Sequence, residues 1–240
     1  MFISVKEMTK YWNIDPSGVL HVGAHLAEEA IEYEKHGWLP ITWVEAQPDL
    51  VKILESKLEP SKHKIIEAAV WDEGGLSLKL HIASSTQSSS LLNFGTHADL
   101  YPDIMYISDL EVSTKRLDEI IRADEMHNFI NFDIQGAELQ ALKSLGSLID
   151  LVDYIYVEVN KKVLYENCTD VLELDAFLST FGFTRKCTRW YLKEGWGDAL
   201  YLRSTKGANR KLWQFLASLG IGCSFYLQQY LIISKKFFTR

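Results

Sequence analysis

Cysteine is scarce in this sequence. Only Cys168, Cys187 and Cys223 occur in 240 residues, an odd and scattered set without a C-x-x-C pair. That pattern excludes a disulfide framework and a structural zinc site and points to a reducing compartment. The N-terminal stretch "MFISVKEMTKYWNI" has charges among its apolar residues and no long apolar run, so no signal peptide is read there and a cytoplasmic location is expected. Positive charge is also in short supply. The net charge is −7, and six of the bases (Lys206, Arg210, Lys211, Lys235, Lys236, Arg240) follow residue 205 with no acid among them, leaving 19 bases against 32 acids in residues 1–205. A body of that sign repels phosphate backbones, so nucleic acid is not expected as a partner. Two of the three glycines of the dinucleotide fingerprint are missing too: counting from Gly23, the others would fall at His25 and Glu28. A nicotinamide fold is therefore not expected.

What is present is enough apolar material, 47% of residues with 12% aromatic, to bury the core of one large domain, placed here at residues 1–205. Short apolar runs alternate with amphipathic ones: "GVLHV", "LAEEAIEYEKHG", "ITWVEA", "PDLVKILESKL", "KIIEAAV", later "FINFDI", "GAELQALKSLG" and "YIYVEV". Such alternation predicts βαβ units on a parallel sheet covered on both faces. "LSLKLHIA" reads as a strand with one wet face, a small antiparallel addition. "FTRKCTRWYL" and "DALYLR", joined by "KEGWG", read as a closing hairpin. The fold class expected is thus α/β: a doubly wound, mostly parallel sheet of about seven strands with an antiparallel edge. The polar segment "SSTQSSSLLNFGTHADLYPD" is long for a loop in a compact domain and reads as a lid over the site.

In a doubly wound sheet, ligands bind at the carboxyl ends of the strands, and the turn after the first strand forms one wall. Gly23 occupies that turn and lets the backbone approach a ligand closely. Glu45 ends the second strand, about 20 residues on, where a carboxylate accepts hydrogen bonds from ribose hydroxyls. Asp133 and Glu158 stand at the ends of neighbouring strands on the same side. Either carboxylate can serve as a general base, and with Asn160 the two offer hard oxygen ligands to one divalent cation. Glu138 lies in the first turn of a helix, where an acid complements the helix dipole. His97 is a second candidate base, and Tyr101, Tyr106, Trp190, Tyr191 and Trp196 offer flat apolar faces to a ring-shaped ligand.

Taken in order, "VLHVGAHLAEEA", "WVEAQPDL", "IEAAVWDEGG", "SSSLL", "RLDEI" and "INFDIQGAELQAL" resemble the motifs of the FkbM-type methyltransferase family over roughly residues 17–203. "FDIQGAE" is the most specific of them. The resemblance implies the class I methyltransferase (Rossmann-like) fold, S-adenosylmethionine as cofactor and O-methylation, commonly of sugar hydroxyls in a carbohydrate or glycolipid acceptor. It also implies that Gly23 and His25 lie along the methionine part of the cofactor, Glu45 on its ribose, Ala69 and Asp72 near the adenine, and Asp133 near the transferring methyl. His21, His25, Ala27, Asn131 and Gln135 depart from the family's usual acid, Asn, Gly, Lys and Glu at those positions. A catalytically silent glycan-binding or scaffold protein on the same fold is the alternative.

Residues 206–240 stand apart as a basic, apolar helical tail. Residues 212–234 carry no charge and would span about 34 Å as a helix. An interfacial helix on an anionic membrane surface, a spanning helix, and packing against the domain or a second subunit all fit that composition.

Overall fold

The computed structural model describes residues 1–191 and 195–203. The tail and the alternatives raised for it lie outside the described residues. In chain order the elements are α1 (Val5–Trp12), β1 (Val19–Val22), α2 (Ala30–Lys35), β2 (Ile41–Glu45), α3 (Pro48–Lys57), β3 (His63–Glu67), β4 (Ala69–Val70), β5 (Ser77–Ala83), α4 (His97–Leu100), β6 (Tyr106–Lys115), α5 (Leu117–Ile120), β7 (Phe129–Phe132), α6 (Glu138–Ser144), β8 (Tyr154–Asn160), α7 (Val171–Thr180), β9 (Phe183–Tyr191) and β10 (Trp196–Arg203).

Seven strands form one sheet in the order β3-β2-β1-β7-β8-β10-β9. The first five are parallel, and β10 runs antiparallel to both β8 and β9. This is the doubly wound sheet with an antiparallel edge that the alternation predicts, and the order reverses beside β1, where such sheets open a crevice. Alternating side chains feed two cores. Leu20, Val22, Ile130, Phe132, Ile155 and Val157 point to one face, under α6 and α7, and Val19, Ile41, Trp43, Phe129 and Tyr154 to the other, under α1 and α2. Both faces are dry, so the strands read as nearly continuous apolar runs.

Three features differ from the sequence reading. "KIIEAAV" is not one strand: β3 completes the main sheet, whereas β4 pairs with β6 in a separate sheet of order β4-β6-β5. β5 is antiparallel as expected, but its partner β6 has no apolar signature because it alternates Asp109, Glu111 and Ser113 with half-exposed apolar residues. The helix expected from Leu26 starts only at Ala30. Residues 24–29 form an irregular turn in which His25 and Ala27 take positive φ, 45° and 54°.

That turn depends on Gly23. Its φ is +91°, and a Cβ built on it would stand 1.8 Å from the carbonyl oxygen of Asp133. The two neighbouring backbones are joined by Asp133 N–H to Val22 O (3.0 Å), while Gly23 N–H is held on its other side by Val44 O of β2 (2.9 Å), leaving no space for a side chain. Gly23→Ala should therefore destabilise the protein by about 3 kcal/mol or more, among the larger losses for a single substitution. Urea unfolding followed by circular dichroism measures it, and a loss below about 1 kcal/mol would contradict the close approach.

Candidate functional site

Two cavities open at the carboxyl ends of the parallel strands. The first, about 590 Å³, is walled by Val22, Val44, Ala68, Ala69, Val70, Leu80, Ile134 and Ala137, with Glu45, Ala46 and Gln47 at one end. The second, about 1300 Å³, is more polar and includes Phe2, Glu28, Glu29, His97, Tyr101, Glu158, Trp196 and Asp198 in its lining. Gly23, His25, Gln87, Asp133 and Gln135 line both, so the cavities meet at the glycine turn.

Glu45 is buried at the end of β2. One carboxylate oxygen accepts the His25 N–H (2.8 Å) and the other the Gln47 N–H (2.9 Å), so this side chain ties the turn after β1 to the turn after β2. With the Ala46 N–H also acting on it, the carboxylate still has acceptor capacity to spare. Burial raises its pKa, against the lowering effect of those N–H groups. His25 fixes the upper wall: Nε2 lies 2.8 Å from Thr86 Oγ1 and Nδ1 2.6 Å from Glu28 Oε1. The segment read as a lid supplies Thr86, Gln87, Ser89, Ser90 and Leu91 to the first cavity, and Ser90 Oγ donates to Gln135 O (2.7 Å).

At the junction a single amide joins two carboxylates. Gln135 Nε2 donates to Asp133 Oδ1 (2.8 Å) and to Glu158 Oε2 (3.0 Å), while Tyr165 O–H donates to Gln135 Oε1 (2.7 Å). Gln135 reaches this place with φ 55°. Asp133 is exposed to both cavities, and partial desolvation by the surrounding site, with the nearby Asp198 charge, pushes its pKa up to about 6. Glu158 is more deeply buried, and burial followed by the Asp133 and Glu138 charges holds it well above the usual carboxylate range. Glu138 has a structural task beyond the dipole: it accepts the Gly136 N–H (3.0 Å) and the Ile134 N–H (3.3 Å), clamping the 133–137 turn, and burial moves its pKa up to about 7. His21, buried beside Asn131 and Tyr33, is driven by desolvation to about 4 and stays neutral.

The structure thus gathers Gly23, His25, Glu45, Ala69, Asp133 and Glu158 around the two cavities. Asp72 lines neither; its carbonyl oxygen instead accepts from Arg116. Of the proposed aromatic surfaces, Tyr101 and Trp196 line the second cavity, with Trp196 Nε1–H donating to Tyr101 Oη (3.0 Å). Tyr191 stacks on Phe2 and Trp196, Trp190 lies under Lys161, and Tyr106 packs on Phe94. His97 is buried in the lining, its ring 4.1 Å from that of Phe94, and burial lowers its pKa. Among the described residues no group of three or more His, Cys, Asp or Glu is arranged to hold a metal ion. The Gln135 amide, bonded to both Asp133 and Glu158, occupies the space between these two carboxylates. Asp198 and the Met1–Phe2 segment were not flagged by the sequence. An acid inside an otherwise buried strand was the available signal for Asp198, and the N-terminus gave none.

The FkbM methyltransferase domain matches residues 21–185. The chain belongs to the FkbM methyltransferase family. As a member it carries a methyltransferase domain, and its sheet has the strand arrangement expected of the class I methyltransferase fold. No curated protein sequence matches the chain. Among solved structures, the magnesium protoporphyrin IX methyltransferase of Synechocystis PCC 6803, with bound S-adenosylmethionine, is 11% identical, with 78% of this chain and 69% of that chain covered and a TM-score of 0.44. TrmK of M. capricolum, in complex with S-adenosylhomocysteine, is 9% identical over 81% of this chain and 67% of that one, with a TM-score of 0.42.

The raised carboxyls give this FkbM chain a pH-dependent stability. Buried Glu138 takes up its proton at about 7 when folded, against an ordinary value of 4.5, and the carboxyl of buried Glu158 is raised as well. The folded protein therefore holds more protons than the unfolded chain in that window, and stability falls as pH rises through it. Glu158→Gln removes one acid from the cluster and relieves its neighbours. Its thermal midpoint should fall less steeply than that of the wild type between about pH 5 and pH 8; parallel slopes would show that the acids do not interact.

Proposed function

We propose that the first cavity holds S-adenosylmethionine and the second an acceptor, and that a methyl group passes at their junction to a hydroxyl of a carbohydrate or glycolipid. The observation that carries this reading is the meeting of the two cavities at Gly23 and Asp133. The residues of the first cavity suit the cofactor: Val44, Ala68, Ala69, Val70 and Leu80 offer an apolar slot to the adenine, and Glu45 keeps lone pairs for the ribose hydroxyls. When bound, the cofactor supplies an activated methyl on a sulfonium.

The protein then has to align the acceptor oxygen, exclude water and remove one proton. Asp133 faces both cavities, and a pKa of about 6 suits a general base working near neutrality. It accepts the hydroxyl proton as the new O–C bond forms and the S–C bond breaks. Gln135 holds the Asp133 carboxylate in place through its amide, and Tyr165 holds Gln135. Tyr101 and Trp196 give a sugar ring flat apolar faces, the usual partners of its C–H side. Thr86 and Gln87, held through His25 and Glu28, cover the junction.

Two substitutions separate binding from chemistry. Glu45→Gln should weaken S-adenosylhomocysteine binding by roughly tenfold or more, since charge-assisted hydrogen bonds contribute about 1.5–3 kcal/mol; calorimetry measures it, and an unchanged Kd would take Glu45 out of the cofactor site. Asp133→Asn should lower labelled-methyl transfer to a glycoside panel by about 100-fold or more, within the range of a lost general base, with cofactor affinity changed much less. Equal losses of turnover and of cofactor affinity would make Asp133 a binding residue.

A further inference from the structure

The second cavity is unusually acidic. Glu28, Glu29, Asp133, Glu158 and Asp198 all line it, and the described lining contains no lysine or arginine. The ammonium of Met1 reaches one wall, 3.4 Å from Glu29 Oε1, and offsets one of these charges. Glu28, Glu29 and Asp133 border the glycine turn, where the two cavities meet. Glu158 and Asp198 do not. They sit on β8 and β10, directly opposite one another in the antiparallel register. β8 is two strand spacings from β1, about 10 Å, and β10 one further.

Like charges directly opposite each other destabilise a sheet, and both side chains are buried, Glu158 to 5% and Asp198 to 8% exposure. Asp198 Oδ2 accepts the Phe2 N–H (2.6 Å) and a short bond from Tyr156 O–H. Glu158 Oε1, buried with the Asn160 amide near enough to lower its pKa, makes no hydrogen bond of good geometry, and neither does Nδ1 of His97 in the same lining. A buried carboxylate oxygen without a well-formed hydrogen bond costs stability, which a ligand that donates to it would recover. Beside the pair, Phe2, Trp196 and Tyr101 form an aromatic wall, with the Phe2 and Trp196 rings 5.2 Å apart. Paired carboxylates next to aromatic faces match a cation that also donates hydrogen bonds, a protonated amine above all.

We infer that Glu158 and Asp198 form a cation subsite for the acceptor, so that the molecule methylated is an amino sugar or amino alcohol carrying its ammonium near the reacting hydroxyl. This rests on the methyltransferase reading of the two cavities. The subsite orients the acceptor by its charge, and a uronic, phosphorylated or sulfated acceptor is repelled. Binding of the cation favours ionised carboxylates, so it releases protons at neutral pH.

The test uses the full chain loaded with S-adenosylhomocysteine and titrated with methyl glycosides of glucosamine and galactosamine, each compared with its N-acetyl and hydroxyl counterparts. The amine forms should bind at least tenfold more tightly, with proton release seen as a dependence of the calorimetric heat on buffer ionisation. Glu158→Gln and Asp198→Asn should each cut that preference to under threefold while leaving S-adenosylhomocysteine affinity intact, which also reports that the variants are folded. Equal or tighter binding of the neutral counterparts overturns the subsite, as does a preference that survives both substitutions or an absence of amine binding to the loaded protein. Failure of S-adenosylhomocysteine to bind the wild type would overturn the methyltransferase reading itself, and the subsite with it.

Discussion

The contact on which this molecule depends is between two backbones. Gly23 comes so close to the carbonyl of Asp133 that no side chain fits between them, and the turns after β1 and β7 are locked at that spacing. Everything that could react is referred to this contact. The first cavity extends from it toward β2 and Glu45, the second toward β8 and β10, and Asp133 stands where they join. Had the turn been wider, a donor and an acceptor bound in the two cavities would not meet, since in-line transfer needs reacting atoms about 3–3.5 Å apart.

Holding several acids around one point is costly, and the chain limits that cost with neutral donors rather than with lysine or arginine. Backbone N–H groups serve Glu45 and Glu138, and the amide of Gln135 serves Asp133 and Glu158 together. A glutamate at 135 would bring a third carboxylate against those two. The departure from the family's usual residue is thus matched to this chain's own cluster: an amide donates where a carboxylate could only accept. His21 behaves similarly, since burial keeps it neutral beside Asn131 and Tyr33.

Much of this was legible in the sequence, for a physical reason. Strands buried on both faces write themselves as apolar runs, so β1, β2, β7 and β8 could be read directly, and a closing hairpin could be read from "FTRKCTRWYL" and "DALYLR". Gly23 and Glu45 were legible because strand ends in such sheets have fixed meanings. β6 was not: a two-sided, mostly exposed strand has neither an apolar face nor a run to betray it. Nor was the delay of α2 to Ala30, because "LAEEA" favours helix locally while Glu45, 20 residues away, takes the His25 N–H and holds the chain out of it. Asp72 lines neither cavity. Its motif is present, yet the bend after β4 turns it out of the cavity, and its carbonyl serves Arg116.

The two cavities also differ in where their residues come from. The first is assembled entirely from positions between Val22 and Ala137, inside the span that matches the FkbM domain at residues 21–185. The second takes Phe2, Trp196 and Asp198 from outside that span. The segment before α1 crosses to the antiparallel edge, where Phe2 N–H bonds Asp198 and Ile3 N–H bonds Tyr156 Oη (3.1 Å). Two segments almost 200 residues apart in sequence therefore close one wall. The family match spans the whole lining of the first cavity. The second cavity draws on segments from both sides of that span, and its chemistry has to be read from this chain's own carboxylates and rings.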